Sequence, residues 1–346
     1  MRRSIFALFC LSYALFACSG GSDGVPPDTT ADASNAPADA STLAPGDFRV
    51  EFGPITVPPG TEEVQCVIIP LGNDVPVKIN EIENVLGNAS HHYIIYTTPE
   101  TVAQPEPHPC QSIQNLINPD TGQPLMITQK YEETLTLPEG VAFALPAGQM
   151  LRLELHYINA TDQPTEVHVT STFRSIAEAE YRYPADFLFV GNPDIEIPAG
   201  ASATLGPSYL PLSIEFADAK FFGFTGHQHH YGTNVYVTMA ESESGPETPV
   251  YDLPNFNWDE PETVFHDPPL SFPAGGGFRF TCEWTNTSGG TVRFGEGVDD
   301  EMCFFWAYYY PATGIKTCFH TEQTPAPIDV CCPGNPLCNL IDEYLQ

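Results

Sequence analysis

Short runs in which apolar and polar residues alternate, bounded by proline and glycine, recur along the chain, as in "EVQCVIIPLG", "LRLELHYIN", "FRFTCEWTN" and "TVRFG". Successive side chains of a β-strand point to opposite faces, so this period of two fits strands that bury one face. Stretches with a helical period are scarce. The pattern predicts an all-β fold of two tandem antiparallel β-sandwiches, jelly-roll-like in kind. A weak internal similarity supports two units. "LTLPEGVAFALPAGQMLRLELHY" and "IEIPAGASATLGPSYLPLSIEFADAKFFGFTGHQHH" each run from a Pro-Gly turn into a histidine-bearing strand. The boundary is expected between Ile176 and Pro184, giving domains over 47–178 and 179–323 and a cysteine-rich tail, an appended loop, over 324–346.

Residues 1–18, "MRRSIFALFCLSYALFAC", join two arginines to an apolar run that ends like a bacterial lipobox. They read as an export signal with Cys18 as the lipidated residue, ordinary signal cleavage being the alternative. Nothing later approaches the ~20 apolar residues of a membrane span. Membrane attachment is therefore expected by lipid alone, on a bacterial (outer) membrane, facing the periplasm or the cell surface. Residues 19–46, poor in bulky apolar side chains and rich in Ala, Asp, Pro, Ser and Thr, read as a disordered tether.

The formal net charge of −32 excludes nucleic acid as a partner, because a phosphate backbone needs Lys and Arg. It weakly favours neutral or cationic small molecules over anionic ones. Beyond Cys10 and Cys18, eight cysteines remain: Cys66, Cys110, Cys282, Cys303, Cys318, Cys331, Cys332 and Cys338. An even number in an exported chain reads as disulfides, and the Cys-x-x-Cys pairs of a zinc site are missing.

The chemistry-bearing residues are histidines. In "FTGHQHHYG", His227 and His229 fall two apart, so a strand would project both to one face about 6 to 7 Å apart and His230 to the other. In "LRLELHYIN" the leucines take the core face and His156 the polar one. In "GNASHHYIIYTTP", His91 and His92 are adjacent, and joint ligation by both needs a bend or bulge near Asn88 to Ser90. In "GEGVDDEMCFFWAYYYP", Met302, Phe304, Trp306 and Tyr308 share one face. Taken singly, each has a plain alternative: a solvent-facing histidine, or a methionine that fills core.

Together, "HHYIIY", "LELHY", "GHQHHYG" and "DEMCFFWAYYYP", in this order, resemble the copper type II, ascorbate-dependent monooxygenases, the family of peptidylglycine α-hydroxylating and dopamine β-monooxygenases. The resemblance covers roughly Phe48 to Glu322. It implies a β-sandwich in each domain and two copper ions per chain. His91, His92 and His156 match the ligands of the electron-transfer copper; His227, His229 and Met302 match those of the oxygen-binding, catalytic copper. His230 matches a histidine that is not a ligand. Thioether with imidazole favours copper, Cu(I) especially, on chemical grounds as well. The match also implies the disulfides Cys66–Cys110 and Cys282–Cys303.

The amidating branch holds its substrate's carboxylate with an Arg, an Asn and a Tyr, and these positions are Thr225, Phe304 and Trp306 here. A peptidylglycine substrate is not expected; an apolar or aromatic pocket for a neutral or cationic molecule is. Arg279 or Arg293 could restore anion binding. The expected activity is hydroxylation of a C–H bond of a small organic substrate with O2 and ascorbate or a similar one-electron reductant, by a monomer. Two rivals differ in class: a non-enzymatic copper-binding surface lipoprotein that stores or senses the metal, and an adhesive or carbohydrate-binding sandwich with incidental histidines.

Overall fold

A computed structural model describes residues 43–110, 122–273, 275–323 and 327–338. The export signal, Cys18 and nearly all of the expected tether lie outside the described residues. Alternation produces strands throughout, arranged as two sandwiches. In the first, one sheet runs in the order Phe48–Val57, Thr165–Ser175, Val77–Val85, Val141–Leu145 and Tyr183–Pro184, with Glu132–Thr136 also paired to Val77–Val85. The facing sheet runs Gln104–Pro109, Thr61–Pro70, Met150–Asn159, Ser90–Thr98 and Gln123–Thr128. In the second sandwich, one sheet runs Val264–Ser271, Lys220–His227, Phe304–Tyr310, Asp186–Gly191, Lys316–Thr321 and Ile328–Cys332. Its partner runs Ser202–Pro211, Gly277–Thr285, Gly232–Ala240 and Glu247–Asp252. Pairing is antiparallel except where Asp186–Gly191 meets Lys316–Thr321 and Tyr183–Pro184 meets Val141–Leu145.

The strand Phe304–Tyr310 explains how the halves join. Phe305, Ala307 and Tyr309 pack into the core of the second sandwich with Phe221, Phe278 and Phe280. The alternate residues Phe304, Trp306 and Tyr308 point the other way, into a core that also holds Tyr93, Leu153 and Phe173 of the first sandwich. A strand apolar on both faces is buried on both faces, and here the first sandwich supplies the second cover.

Two features differ from the alternation reading. Arg152, Glu154 and His156 stand on the side opposite the leucines as expected, yet all three are buried. Arg152 stacks on Tyr96, 4.1 Å from its ring centre, Glu154 lies beside the Cys66 sulfur at 3.9 Å, and His156 faces the second sandwich. The tail is likewise more than a loop. Ile328–Cys332 adds an edge strand along Lys316–Thr321. Among the described residues four disulfides are present: Cys66–Cys110, Cys282–Cys303, Cys318–Cys331 and Cys332–Cys338. That density suits an oxidising, extracytoplasmic setting.

Candidate metal centre

His91 and His92 reach the site through an irregular strand start. Ser90–Thr98 pairs with Met150–Asn159, and the register slips between Ser90 and His92. Just before it, Ala89 holds φ at 63°, a region few residues other than glycine adopt. His91 is thus the extra residue of a bulge, which lets two consecutive side chains converge. His92 sits opposite His156 in the ladder. The ring centroids of the three lie 5.3 Å (His91–His92), 5.1 Å (His91–His156) and 4.9 Å (His92–His156) apart. One nitrogen from each falls within 4.8 Å of the others, a spacing that could hold a metal.

His227 ends the strand Lys220–His227, whereas His229 lies beyond it in the turn closed by the Gly232 N–H on the His229 carbonyl. Strand alternation therefore does not place His229. The two rings nevertheless meet at 5.1 Å. His230 is exposed, stacked on Tyr231, and takes no part.

What places His229 is Glu301, a residue the spacing argument passed over. Its fully buried carboxylate accepts the backbone N–H groups of Tyr231 (2.7 Å), His229 (3.0 Å) and Met302 (3.2 Å), and the indole N–H of Trp284 (2.8 Å). One side chain thus ties the His229 turn to the Met302 segment, and the Cys282–Cys303 disulfide pins the same segment from its other end. Met302 is buried in the core with Phe304 and Trp306. An acid beside an apolar strand in "DDEMC" is the one trace of this role in the sequence.

The histidine nitrogens divide into held and free. His156 Nε2–H donates to Glu62 Oε1 at 3.0 Å, and His227 Nδ1–H donates to Gln129 Oε1 at 3.0 Å. His91 Nδ1 lies 3.7 Å from Asp259 Oδ1. By contrast His91 Nε2 and the Nδ1 atoms of His92, His156 and His229 are buried without a hydrogen-bond partner. Buried polar atoms are ordinarily paired. One ring nitrogen held by an acceptor and the other unpaired is the pattern of imidazoles prepared for a metal. Burial, then the neighbouring His91, pushes His156 down to about 3; burial, then His91 and His156, does the same for His229, against the pull of the Asp300 and Gly297 carbonyls. Burial and the surrounding imidazoles hold His92 and His227 well below the usual histidine range. These four rings are neutral at physiological pH, the state that ligates metal. The donor set fits copper: imidazoles alone on one side, imidazoles with a nearby thioether residue on the other.

Thr225 is buried and exchanges a 2.8 Å hydrogen bond with Thr263, which donates to Glu133 across the seam at 2.9 Å. Phe304 and Trp306 are 1% and 2% exposed, and the Trp306 ring lies 6.2 Å from His227. A cavity of about 570 Å³ opens on the same seam, between Lys130–Glu132 of the first sandwich and the 253–262 loop of the second. Its walls carry Glu132, Glu260 and Glu262 against Lys130. Gln129 immediately precedes one wall, and Trp258 and Asp259, both beside His91, belong to the loop that forms the other without lining the cavity themselves.

Residues 201–326 match the family described as copper type II ascorbate-dependent monooxygenase, C-terminal domain. That range holds His227, His229, Met302 and the Cys282–Cys303 disulfide; His91, His92 and His156 precede it, and for them the geometry speaks. Among solved structures, a recombinant N-glycanase F (PNGase F) is 12% identical, with a TM-score of 0.34 over 82% of this chain and 99% of that one. A tail fiber protein from an E. coli phage is 10% identical, with a TM-score of 0.18 over 75% of this chain and 42% of that one.

Proposed function

We propose that the chain is an exported copper-dependent monooxygenase that hydroxylates a C–H bond of a small organic molecule, using O2 and a one-electron reductant such as ascorbate. The observation that carries this reading is the meeting of the two histidine sets, His91/His92/His156 and His227/His229, beside a stretch that matches a copper monooxygenase domain. In this reading His91, His92 and His156 hold one copper, and His227, His229 and Met302 hold a second. When bound, copper supplies the one-electron and oxygen chemistry that no side chain here provides.

The chain's own residues do the rest. Glu62, Gln129 and Asp259 orient imidazoles, and Glu301 keeps the Met302 segment against the His229 turn. Trp306 and Phe304 border the two-histidine side and, with Thr225, exclude water there. Substrate approaches from the seam cavity, whose three carboxylates against one lysine favour a neutral or cationic molecule over an acylglycine. The protein acts as a monomer, does not bind nucleic acid, and is held to the bacterial membrane only by lipid on Cys18.

The test is oxygen consumption by copper-loaded protein with ascorbate and a panel of small C–H substrates, including a phenethylamine and an acylglycine of similar size. Met302→Ile, which removes the thioether and keeps apolar volume, should abolish substrate-dependent consumption while copper on the three-histidine side stays reducible. Copper binding with no substrate-dependent consumption by the unaltered protein would favour a copper-storing lipoprotein instead.

A further inference from the structure

His91, His92 and His156 are all buried, His92 being the most open at 9%. A reductant in solution does not touch these rings, and its electron has to cross whatever stands between. Among the described residues, one aromatic ring outside the histidines meets the set. Trp258, half-buried in the 253–262 loop, lies 5.8 Å from the His91 ring at 54°. Its other neighbour is His230, exposed and 5.6 Å away at 31°, which stacks on Tyr231 at 4.8 Å and 7°. A short aromatic run thus leads from the surface to the edge of the three-histidine set.

Carboxylates surround the outer end of this run. Asp259 and Glu260 follow Trp258 in the chain, and Asp299 Oδ1 lies 3.4 Å from His230 Nδ1. The side chains of Asp259 and Asp299 are 60% and 80% exposed, and Glu260 is exposed as well. Lys130 shares the neighbouring cavity with Glu132, Glu260 and Glu262 and leaves it acidic. The whole chain adds to the field, with 44 acidic residues against 12 basic ones. A patch of one sign raises encounter rates for the opposite charge by ~10 to 10³, an effect that salt screens over ~8 Å at physiological ionic strength.

We propose that Trp258 and His230 form the electron-entry surface of the three-histidine set, and that the donor docking there is a small, positively charged one-electron carrier, for which ascorbate, an anion at neutral pH, is an inefficient substitute. The inference rests on the copper reading above and goes beyond it in fixing where the electron enters and the charge of what supplies it. Each encounter oxidises the carrier by one electron and reduces one Cu(II) held by the set to Cu(I); no bond is made or broken and no proton moves. Tunnelling falls off steeply with distance, so a ring against His91 shortens the gap that a surface donor must cross. A cation also gains from the aromatic faces themselves. A contact two rings wide suits a small molecule.

The first test needs no metal. Trp258 is the one tryptophan of three that is not buried, Trp284 and Trp306 both being 2% exposed. Quenching of tryptophan emission in the metal-free full chain by caesium and by iodide, each normalised to free N-acetyltryptophanamide, therefore reads the charge at that ring. Caesium should be the better quencher by ~2-fold or more, the quencher salt itself screening part of the bias. Glu260→Gln with Asp299→Asn should narrow that gap. The same charge change at Glu100, past the far end of Ser90–Thr98, and at Glu178, paired with Lys78, should not. Equal quenching by the two ions, or an equal effect of the two double variants, would overturn the cationic docking site. The second test loads the chain with Cu(II) and follows loss of its electron paramagnetic resonance signal on mixing with hexaammineruthenium(II) or ascorbate. Reduction by the ruthenium cation should slow as salt rises, and reduction by ascorbate should quicken. Trp258→Leu should lose most of the ruthenium rate with copper content and resting spectrum unchanged, and Trp258→Phe should recover it. An unchanged rate in Trp258→Leu would overturn the entry surface and leave the monooxygenase reading standing; failure to bind copper would overturn both. If Trp258→Leu does not fold, Glu260→Gln with Asp299→Asn decides, a salt dependence as steep as the unaltered protein's refuting the proposal.

Discussion

Glu301→Gln tests whether one buried carboxylate holds the centre's second half together. In the structure Oε1 accepts the Tyr231 N–H, while Oε2 accepts the His229 N–H, the Trp284 indole N–H and the Met302 N–H. Glutamine offers a single acceptor oxygen. In its better orientation that oxygen takes the Oε2 place and the amide NH2 confronts the Tyr231 N–H, leaving two donors face to face. Stranding a buried donor costs ~1–3 kcal/mol, and replacing three charge-assisted bonds by neutral ones costs ~1 kcal/mol each. Burial itself disfavours the carboxylate, since it pushes Glu301 above its usual range against the pull of the same donors. Relief of that burial cost offsets part of the loss, so the net destabilisation is expected at ~2–4 kcal/mol. Urea unfolding followed by tryptophan fluorescence measures it. X-ray absorption of the Cu(I)-loaded variant should also lose its sulfur scatterer, because the Met302 segment is no longer tied to the His229 turn. A variant within ~0.5 kcal/mol of the unaltered protein, with its sulfur scatterer intact, would refute the role given to Glu301.

Two further substitutions probe the scaffold. A Cβ at Gly226, the residue before His227, would stand 2.7 Å from both a Tyr251 ring carbon and the Val235 Cβ, so Gly226→Ala should lower stability by ~1–3 kcal/mol. It should also weaken Cu(I) binding in a chelator competition, and unchanged values in both assays would show that the strand yields freely. Asp186 is buried, and burial lifts its carboxyl from the ordinary 3.8 to about 6 against the hydrogen bonds from the Phe187 and Gly314 N–H groups. The folded state therefore holds the proton more tightly than the unfolded one. The resulting stability is complete below about pH 4 and is lost as pH rises through 6, a swing of ~3 kcal/mol. Asp186→Asn should flatten this swing, gaining on the unaltered protein between pH 4 and 7.5 in urea midpoints; parallel pH profiles would count against it.

Alternation made the strands legible, and with them the class of fold. It could not tell a solvated face from one covered by a second domain. His156 in "LRLELHYIN", like Phe304, Trp306 and Tyr308 in "FFWAYYY", sits on a face that the single chain pattern leaves open and the opposing sandwich closes. The histidines were legible as residues because their spacing is unusual. Their geometry was legible only in part: the bulge at His91 follows from two adjacent ligands, but the turn that carries His229 depends on a carboxylate 72 residues away. The orienting acceptors left no local signal at all. Glu62 lies 94 residues from His156 and Gln129 lies 98 from His227, and nothing in the intervening sequence encodes either pairing.

The two histidine sets come from different sandwiches, and the energetics bear on why the two stay docked. Four nitrogens of these histidines, on His91, His92, His156 and His229, are buried without a hydrogen-bond partner, at ~1–3 kcal/mol each. Their combined cost rivals the whole stability of an ordinary domain. It is borne by the apolar seam, where Phe304, Trp306 and Tyr308 lie under the first sandwich, and by the contacts of Glu62 with Val298, Gln129 with His227, and Thr263 with Glu133. A metal that takes those nitrogens removes the cost and binds only the docked arrangement, so copper affinity and docking reinforce each other by mass action. Under the proposed function, the same linkage sets a limit on substrate access. Opening the seam far enough to separate His91 from His229 would take Asp259 from His91 and Gln129 from His227, and would loosen both sets at once. The cavity between Lys130–Glu132 and the 253–262 loop lies at the edge of that seam, and because the loop carries Asp259, displacing it would also release the contact with His91.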